Sequence, residues 1–198
     1  MINRIAISKP QPFPMILNYT DIRSYVFTLL FTVLSVAVPW AFHQFHLAGP
    51  TFLPMHIFIL AAGLLFGWRT GLIVGTLTPL ASYTVVGLPP MPVLPQIVIE
   101  LSAYGLIAGI LRERFNLRLM WSLLGTMIAG RLALLLAVLV ISVVAGRVYS
   151  PLGPETSPFL AVWSVIKQGG PGIALQLALI PGAIWLVGKV AAKTPGSS

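Results

Sequence analysis

The sequence predicts an all-α integral membrane protein, a bundle of six transmembrane helices with both termini in the cytoplasm. The chain of 198 residues is 57% hydrophobic and only 8% charged, whereas about a quarter of the residues in soluble domains are charged. Its mean hydropathy is +0.94. Its apolar stretches lack the alternation that is typical of the strands of a transmembrane barrel, so helices are expected to cross the membrane.

Six apolar stretches follow one another along the chain. They cover 22–45, 52–66, 71–86, 94–111, 117–148 and 159–190, the last with Gly-Gly-Pro-Gly at 169–172. The second and third are shorter than the roughly 17–25 residues of a normal span, so we expect them to be tilted, re-entrant or covered by neighbours. Together the stretches predict one membrane domain over 22–192, between a cytoplasmic N-terminal segment, 1–21, and a cytoplasmic tail, 193–198.

The distribution of Lys and Arg predicts the orientation of the helices. With six crossings, the side of the termini holds nine cations, Arg4, Lys9, Arg23, Arg69, Arg112, Arg114, Arg118, Lys189 and Lys193. The opposite loops hold Arg147. Because cytoplasmic loops are enriched in Lys and Arg, this bias predicts cytoplasmic termini and a multi-pass protein of the cell membrane. Most of the net charge of +8 is then explained by topology and not by a nucleic-acid partner.

The residue types present leave little material for catalysis. The chain has no cysteine, four acidic residues and three histidines. It contains neither a Walker motif nor a dinucleotide-binding fingerprint, and its histidines fit no established zinc motif. We therefore expect no enzyme activity, no metal and no cofactor. Any ATP hydrolysis that drives the protein must come from another subunit.

Three ionisable residues lie within the apolar stretches, where a charge is costly and usually has a partner or a function. They are Glu100, Arg131 and Lys167, which lie in the outer half or near the centre of the membrane. One interpretation is a structural ion pair between Glu100 and Arg131, with Lys167 extending outward. The other is an outward-facing pocket in which Arg131 and Lys167 neutralise an anionic ligand, while Glu100 orients Arg131 or accepts a hydrogen bond.

Five further residues extend this candidate site. They are His56, Gln96, Tyr104, Trp163 and Gln168. Gln96 and Tyr104 lie one turn either side of Glu100 and share its helix face, whereas Trp163 and Gln168 are neighbours of Lys167. An aromatic ring with amides and a few charges is typical of a small-molecule site. Trp163 equally fits an interfacial aromatic belt, and His56, near the expected lid, equally fits a local hydrogen-bonding role.

Pairs of small residues at four-residue spacing mark helix faces that approach another helix closely. They are Ala37 and Ala41, Gly63 and Gly67, Gly71 and Gly75, and Gly105 and Gly109. Packing within the bundle is one interpretation, and docking of a partner membrane subunit is the other.

Several segments between Pro39 and Glu113 carry a resemblance to a known family. They are 42–45 (FHQF), 52–57 (FLPMHI), 61–67 (AAGLLFG), 71–75 (GLIVG), 87–92 (GLPPMP) and 100–109 (ELSAYGLIAG). In this order they resemble the substrate-binding S components of energy-coupling factor (ECF) transporters, in the group that includes pantothenate, folate and cobalamin carriers. The resemblance implies a six-helix membrane protein and a vitamin-sized ligand held near the outer face.

The resemblance also implies partners. Transport in this family needs a transmembrane coupling subunit and two ATPase subunits, and the S component is thought to topple within the membrane. The family's small-residue coupling motif usually lies near the cytoplasmic start of the first helix. Here Leu29 and Val33 are bulky at those positions, so Ala37 and Ala41, farther along the helix, are the docking residues that we expect.

The sequence therefore predicts an S component that binds a vitamin or related small anionic nutrient for ATP-driven uptake. A standalone secondary transporter of a small solute is the alternative. A third possible class of protein is a membrane enzyme or a scaffold.

Overall fold

The computed structural model describes residues 22–44, 49–150, 152 and 155–193. These residues form helices and connecting loops, with no β-strand among them, which confirms the all-α prediction. The helices are α1 Ile22–Gln44, α2 Gly49–Phe52, α3 Pro54–Phe66, α4 Trp68–Val86, α5 Leu94–Glu113, α6 Leu119–Ala145, α7 Pro158–Gln168 and α8 Gly170–Lys193. The predicted cytoplasmic segment 1–21 and residues 194–198 of the tail lie outside the described residues.

Among the described helices, three are long and apolar enough to cross a membrane by length and composition. They are α1 over Ile22–Phe42, α5 and α6, and the bent pair of α7 and α8 is a fourth candidate if it forms one span. Helix α3 has only 13 residues, in agreement with the short second stretch in the sequence. The structure thus supports a helical membrane protein with three or four candidate spans.

The sixth apolar stretch forms two helices instead of one. Helix α7 ends at Gln168 and α8 begins at Gly170, with a bend of 53° between them. The break lies in the Gly-Gly-Pro-Gly segment, because Pro171 has no amide hydrogen and disfavours helical backbone in the residue before it. The predicted continuous stretch over 159–190 is therefore corrected to two helices joined at Gly169.

Helix α5 is central to the bundle and packs against α3, α4 and α6. Glycines allow the closest of these contacts. A Cβ atom on Gly105 would overlap the backbone of Gly71 in α4, and one on Gly63 would lie 2.5 Å from the carbonyl oxygen of Gly105. These glycine pairs therefore serve packing within the bundle, where backbones approach closely without side chains between them.

Two groups of buried apolar residues hold the helices together. The central group joins α3, α4, α5, α6 and α8 and includes Ile59, Leu60, Leu64, Val74, Leu101, Tyr104, Leu123 and Ile180. A smaller group joins α6 to α7 and comprises Leu134, Val138, Ala161 and Val162. The outer faces are also apolar, since Leu29 is 67% and Leu132 is 61% exposed. Helices that are apolar on all sides are typical of membrane spans.

We expect Gly105→Ala to destabilise the purified protein in detergent. The new methyl group would overlap the Gly71 backbone, so α4 and α5 must separate, at a cost of about 1–3 kcal/mol. Gly182→Ala is the matched control, because no atom lies within 4 Å of its new Cβ, and alanine favours a helix. Thermal unfolding should show a lower Tm for Gly105→Ala and an unchanged or higher Tm for Gly182→Ala. Equal shifts would contradict the packing described.

Candidate functional site

A buried ion pair lies at the centre of the candidate site. Glu100 on α5 is 1% exposed, and its Oε1 accepts a hydrogen bond of 2.6 Å from Nη1 of Arg131 on α6. Removing either charge would leave the other unpaired in an apolar interior, which is strongly unfavourable. The pair therefore links α5 to α6.

His56 and Tyr104 also lie near Glu100. Nε2 of His56, near the start of α3, lies 3.8 Å from Oε1 of Glu100, beyond hydrogen-bond distance. The His56 ring meets Tyr104 edge to face, with 5.0 Å between ring centroids. Three helices thus bring an imidazole, a carboxylate, a phenol ring and a guanidinium into one cluster, which we call the Glu100 cluster: His56, Glu100, Tyr104 and Arg131.

Gly130 gives the Tyr104 ring its position, and the sequence analysis did not single it out. It precedes Arg131 on α6, and a Cβ atom there would lie 2.7 Å from Cδ2 of Tyr104. A side chain at this position would displace the ring. A lone glycine inside an apolar helix is a weak signal, so only the contact between α5 and α6 reveals its role.

Several buried polar atoms around Glu100 have no hydrogen-bond partner among the described residues. They are Nδ1 and Nε2 of His56, Oε1 of Gln96, and Nε and Nη2 of Arg131. An unsatisfied buried polar group costs about 1–3 kcal/mol, and native proteins retain few of them. The concentration of such atoms beside one ion pair marks a place where polar groups of another molecule would be stabilised.

Gln96 joins this cluster to the loop after α6. It is fully buried, and its Nε2 donates a hydrogen bond of 3.2 Å to the carbonyl oxygen of Tyr149. Its Oε1 is the unpartnered acceptor. As the sequence spacing predicted, Gln96, Glu100 and Tyr104 lie on one buried face of α5.

A cavity of about 260 Å³ borders His56. It lies where the ends of α1 and α4 meet the starts of α3 and α5. Its lining is apolar except for His56 and Ser82, and includes Trp40, Met55, Leu88, Pro89, Pro90 and Ile97. A mostly apolar cavity with a few polar groups is the usual form of a small-molecule site. The proline-rich loop at 87–92 thus covers one side of this cavity.

Arg131 borders a second cavity. A cavity of about 420 Å³ runs along α6 and α7, and Arg131 is the charged residue of its lining, with Trp163 nearby. A Cβ atom on Gly169, at the break between α7 and α8, would lie 3.5 Å from Nη2 of Arg131. Two residues of the Glu100 cluster therefore border cavities, His56 the first and Arg131 the second.

Lys167, Trp163 and Gln168 lie on α7. The Lys167 side chain is exposed, with its Nζ 5.6 Å from the centroid of the Trp163 ring. Trp163 is 46% exposed, and Gln168 is exposed at the end of α7. The structure therefore brings together His56, Gln96, Glu100, Tyr104 and Arg131. Trp163 lines the same cavity as Arg131.

The two expected docking residues lie near the end of α1. Ala37 lines an apolar groove between α1 and α4, and Ala41 is half-buried. Leu29 and Val33 are exposed on the same helix.

We expect Glu100→Gln to lower the stability of the protein by about 3–5 kcal/mol, because Arg131 would then be a buried charge without its carboxylate. Combining it with Arg131→Met removes both charges and should recover most of the loss. Thermal unfolding of the single and double variants in detergent measures this coupling. If the double variant is less stable than Glu100→Gln alone, the two residues do not stabilise each other.

Comparison with known proteins identifies the family. The family model described as "ECF transporter, substrate-specific component" matches residues 22–184, which is most of the chain and includes every residue of the Glu100 cluster. No curated protein and no solved structure matches the chain. The protein belongs to the family of substrate-specific S components of ECF transporters.

Proposed function

We propose that this S component binds a small anionic nutrient, a vitamin or a related molecule, at the outer face for ATP-driven uptake. The observation that carries the proposal is the set of unpartnered buried polar atoms around the Glu100–Arg131 pair. Of the residues that carry these atoms, His56 lines a cavity of about 260 Å³, and Arg131 lines a second one of about 420 Å³. Family membership supplies the class of protein, and this cluster supplies the proposed site.

An anionic ligand follows from the geometry of Arg131. Its Nη1 is engaged by Glu100, whereas Nε and Nη2 have no partner among the described residues. These two donors lie on one side of the planar guanidinium and match the two oxygens of a carboxylate. Such a ligand adds a negative charge that Arg131 alone does not balance, since Glu100 already neutralises it. Lys167 is the second cation that we propose for this role.

The rest of the ligand is proposed to extend into the cavity beside His56. The imidazole of His56 offers one donor and one acceptor when neutral, and Oε1 of Gln96 offers an acceptor. The apolar lining favours a ring or branched chain. Tyr104 orients His56 through the edge-to-face contact. Trp163 and Gln168 are proposed to meet the ligand where it enters along α7.

Six membrane crossings with cytoplasmic termini remain the proposed topology. They are supported by the excess of nine cations over one between the two sides of the membrane. In this topology the ends of α1 and α4 and the starts of α3 and α5 lie outside, so the cavity beside His56 opens toward the outer face. The partners proposed for uptake are a transmembrane coupling subunit, in contact with Ala37 and Ala41, and two ATPase subunits.

Substituting Arg131 by Lys tests the site without removing the charge that Glu100 requires. A thermal-shift panel containing pantothenate, folate and other small carboxylates should include at least one that stabilises the wild type. Arg131→Lys loses the two free donors, so its affinity for that compound should fall at least tenfold, as expected for the loss of a charge-assisted hydrogen bond.

Arg114→Lys is the matched control for this experiment. It also replaces a guanidinium by an ammonium, but Arg114 is exposed at the end of α5 that lies opposite Gln96. Its affinity for the compound should equal that of the wild type. Equal affinity in Arg131→Lys and the wild type would exclude Arg131 from the site.

Reconstitution in liposomes distinguishes an S component from a standalone secondary transporter, the alternative function. The purified chain alone should bind the stabilising compound but not accumulate it. Accumulation should appear only when the coupling and ATPase subunits are added with ATP. Concentrative uptake by this chain alone, driven by an ion gradient, would establish the alternative.

A further inference from the structure

Ser82 on α4 lines the cavity beside His56 and is 5% exposed. Its hydroxyl makes no hydrogen bond with any of the described residues. Thr76 and Thr126, in contrast, each donate a hydrogen bond to the carbonyl oxygen four residues earlier in their own helix, a common partner for a hydroxyl inside a helix. The Ser82 hydroxyl is therefore available to a molecule in the cavity.

Thr78 has the same property one turn earlier in α4. Its Oγ1 is buried without a hydrogen-bond partner among the described residues, and Thr78 and Ser82 share the buried face of the helix. Of the two, Ser82 lines the cavity. Because buried polar groups are normally satisfied, this pair of hydroxyls needs an explanation, and Ser82 is the one that a bound molecule can reach.

The cavity has polar groups but no charge in its lining. His56 and Ser82 are its polar side chains, and none of its described lining residues is Asp, Glu, Lys or Arg. A charged group of a ligand would be costly to bury here, whereas a neutral polar group with partners would not. Neither Ala37 nor Ala41 lines this cavity, so it is separate from the residues that we propose for docking.

The two polar side chains indicate which neutral group fits. A serine hydroxyl both donates and accepts hydrogen bonds, and a neutral imidazole offers one donor and one acceptor. A hydroxyl or an amide has the same two capacities, whereas an apolar group would leave both side chains desolvated without a partner. The lining therefore favours a ligand that carries such a group in its otherwise apolar part.

We propose that Ser82 determines specificity by hydrogen-bonding a neutral hydroxyl or amide on the part of the ligand that occupies the cavity beside His56. This inference rests on the proposed function, which places the carboxylate of the ligand at Arg131 and the rest in this cavity. It adds that the ligand has two polar ends, one anionic and one neutral. A site that hydrogen-bonds a ligand hydroxyl rejects the analogue that lacks it.

Two matched probes test the role of Ser82, 4-(hydroxymethyl)benzoate and 4-methylbenzoate, which share a carboxylate and a ring and differ in one hydroxyl. In titrations of the full chain in detergent, followed by ligand-observed NMR, the wild type should bind the hydroxymethyl compound about fivefold more tightly, as expected for one hydrogen bond. Ser82→Ala should lose this preference and bind 4-methylbenzoate as the wild type does. Its Tm without ligand should not fall, because the hydroxyl has no partner to lose.

Ser35→Ala is the matched control. Ser35 is also a buried helical serine, but its hydroxyl donates a hydrogen bond to the carbonyl oxygen of Phe31, and it does not line the cavity. Both affinities of Ser35→Ala should equal those of the wild type. A preference that disappears equally in Ser35→Ala would overturn the role of Ser82.

Arg131→Lys separates this inference from the proposed function. If both proposals hold, it weakens the two compounds alike and leaves the preference between them. If Arg131→Lys weakens both compounds but the preference persists in Ser82→Ala, the role of Ser82 is overturned and the carboxylate site stands. If the preference requires Ser82 and Arg131→Lys has no effect, the carboxylate site is wrong and the role of Ser82 stands. Equal affinity of the wild type for the two compounds, or binding of neither, also overturns the inference.

Discussion

The pairing of Glu100 with Arg131 is the constraint on which the rest of the structure depends. A carboxylate that is 1% exposed inside an apolar bundle needs a cation, and the hydrogen bond of 2.6 Å to Arg131 supplies it. Because α5 is the central helix, this contact sets its rotation against α6 and so orients the whole buried face of α5. That orientation places the side chains of Gln96 and Tyr104 in the buried interior. The ring contact with Tyr104 in turn positions the imidazole of His56.

The two interpretations of the charged residues in the sequence are compatible in this geometry. The structural interpretation requires only Nη1 of Arg131, which Glu100 engages. The ligand-binding interpretation requires donors that the protein itself does not use, and Nε and Nη2 are such donors. One guanidinium can therefore hold the bundle together on one side and remain available to a ligand on the other, which a lysine ammonium, with no planar fork, does less well.

Much of this structure was predictable because hydropathy and helix period are local properties. The positions of the helices before α7, the shared face of Gln96, Glu100 and Tyr104, and the close glycine contacts all follow from spacing along the chain. The contact of Gly130 with Tyr104 does not. It depends on how α6 is rotated against α5, which no local pattern specifies.

The most direct test of the central claim is mass spectrometry of the small molecules that copurify with the protein and are released when it is denatured. The account predicts that wild-type protein releases one compound with a carboxylate or a comparable anionic group, in near-equimolar amount. It also predicts that Arg131→Lys protein, equally folded, releases little or none of it. Equal release of that compound from both proteins would contradict the account, as would the absence of any bound compound from the wild type.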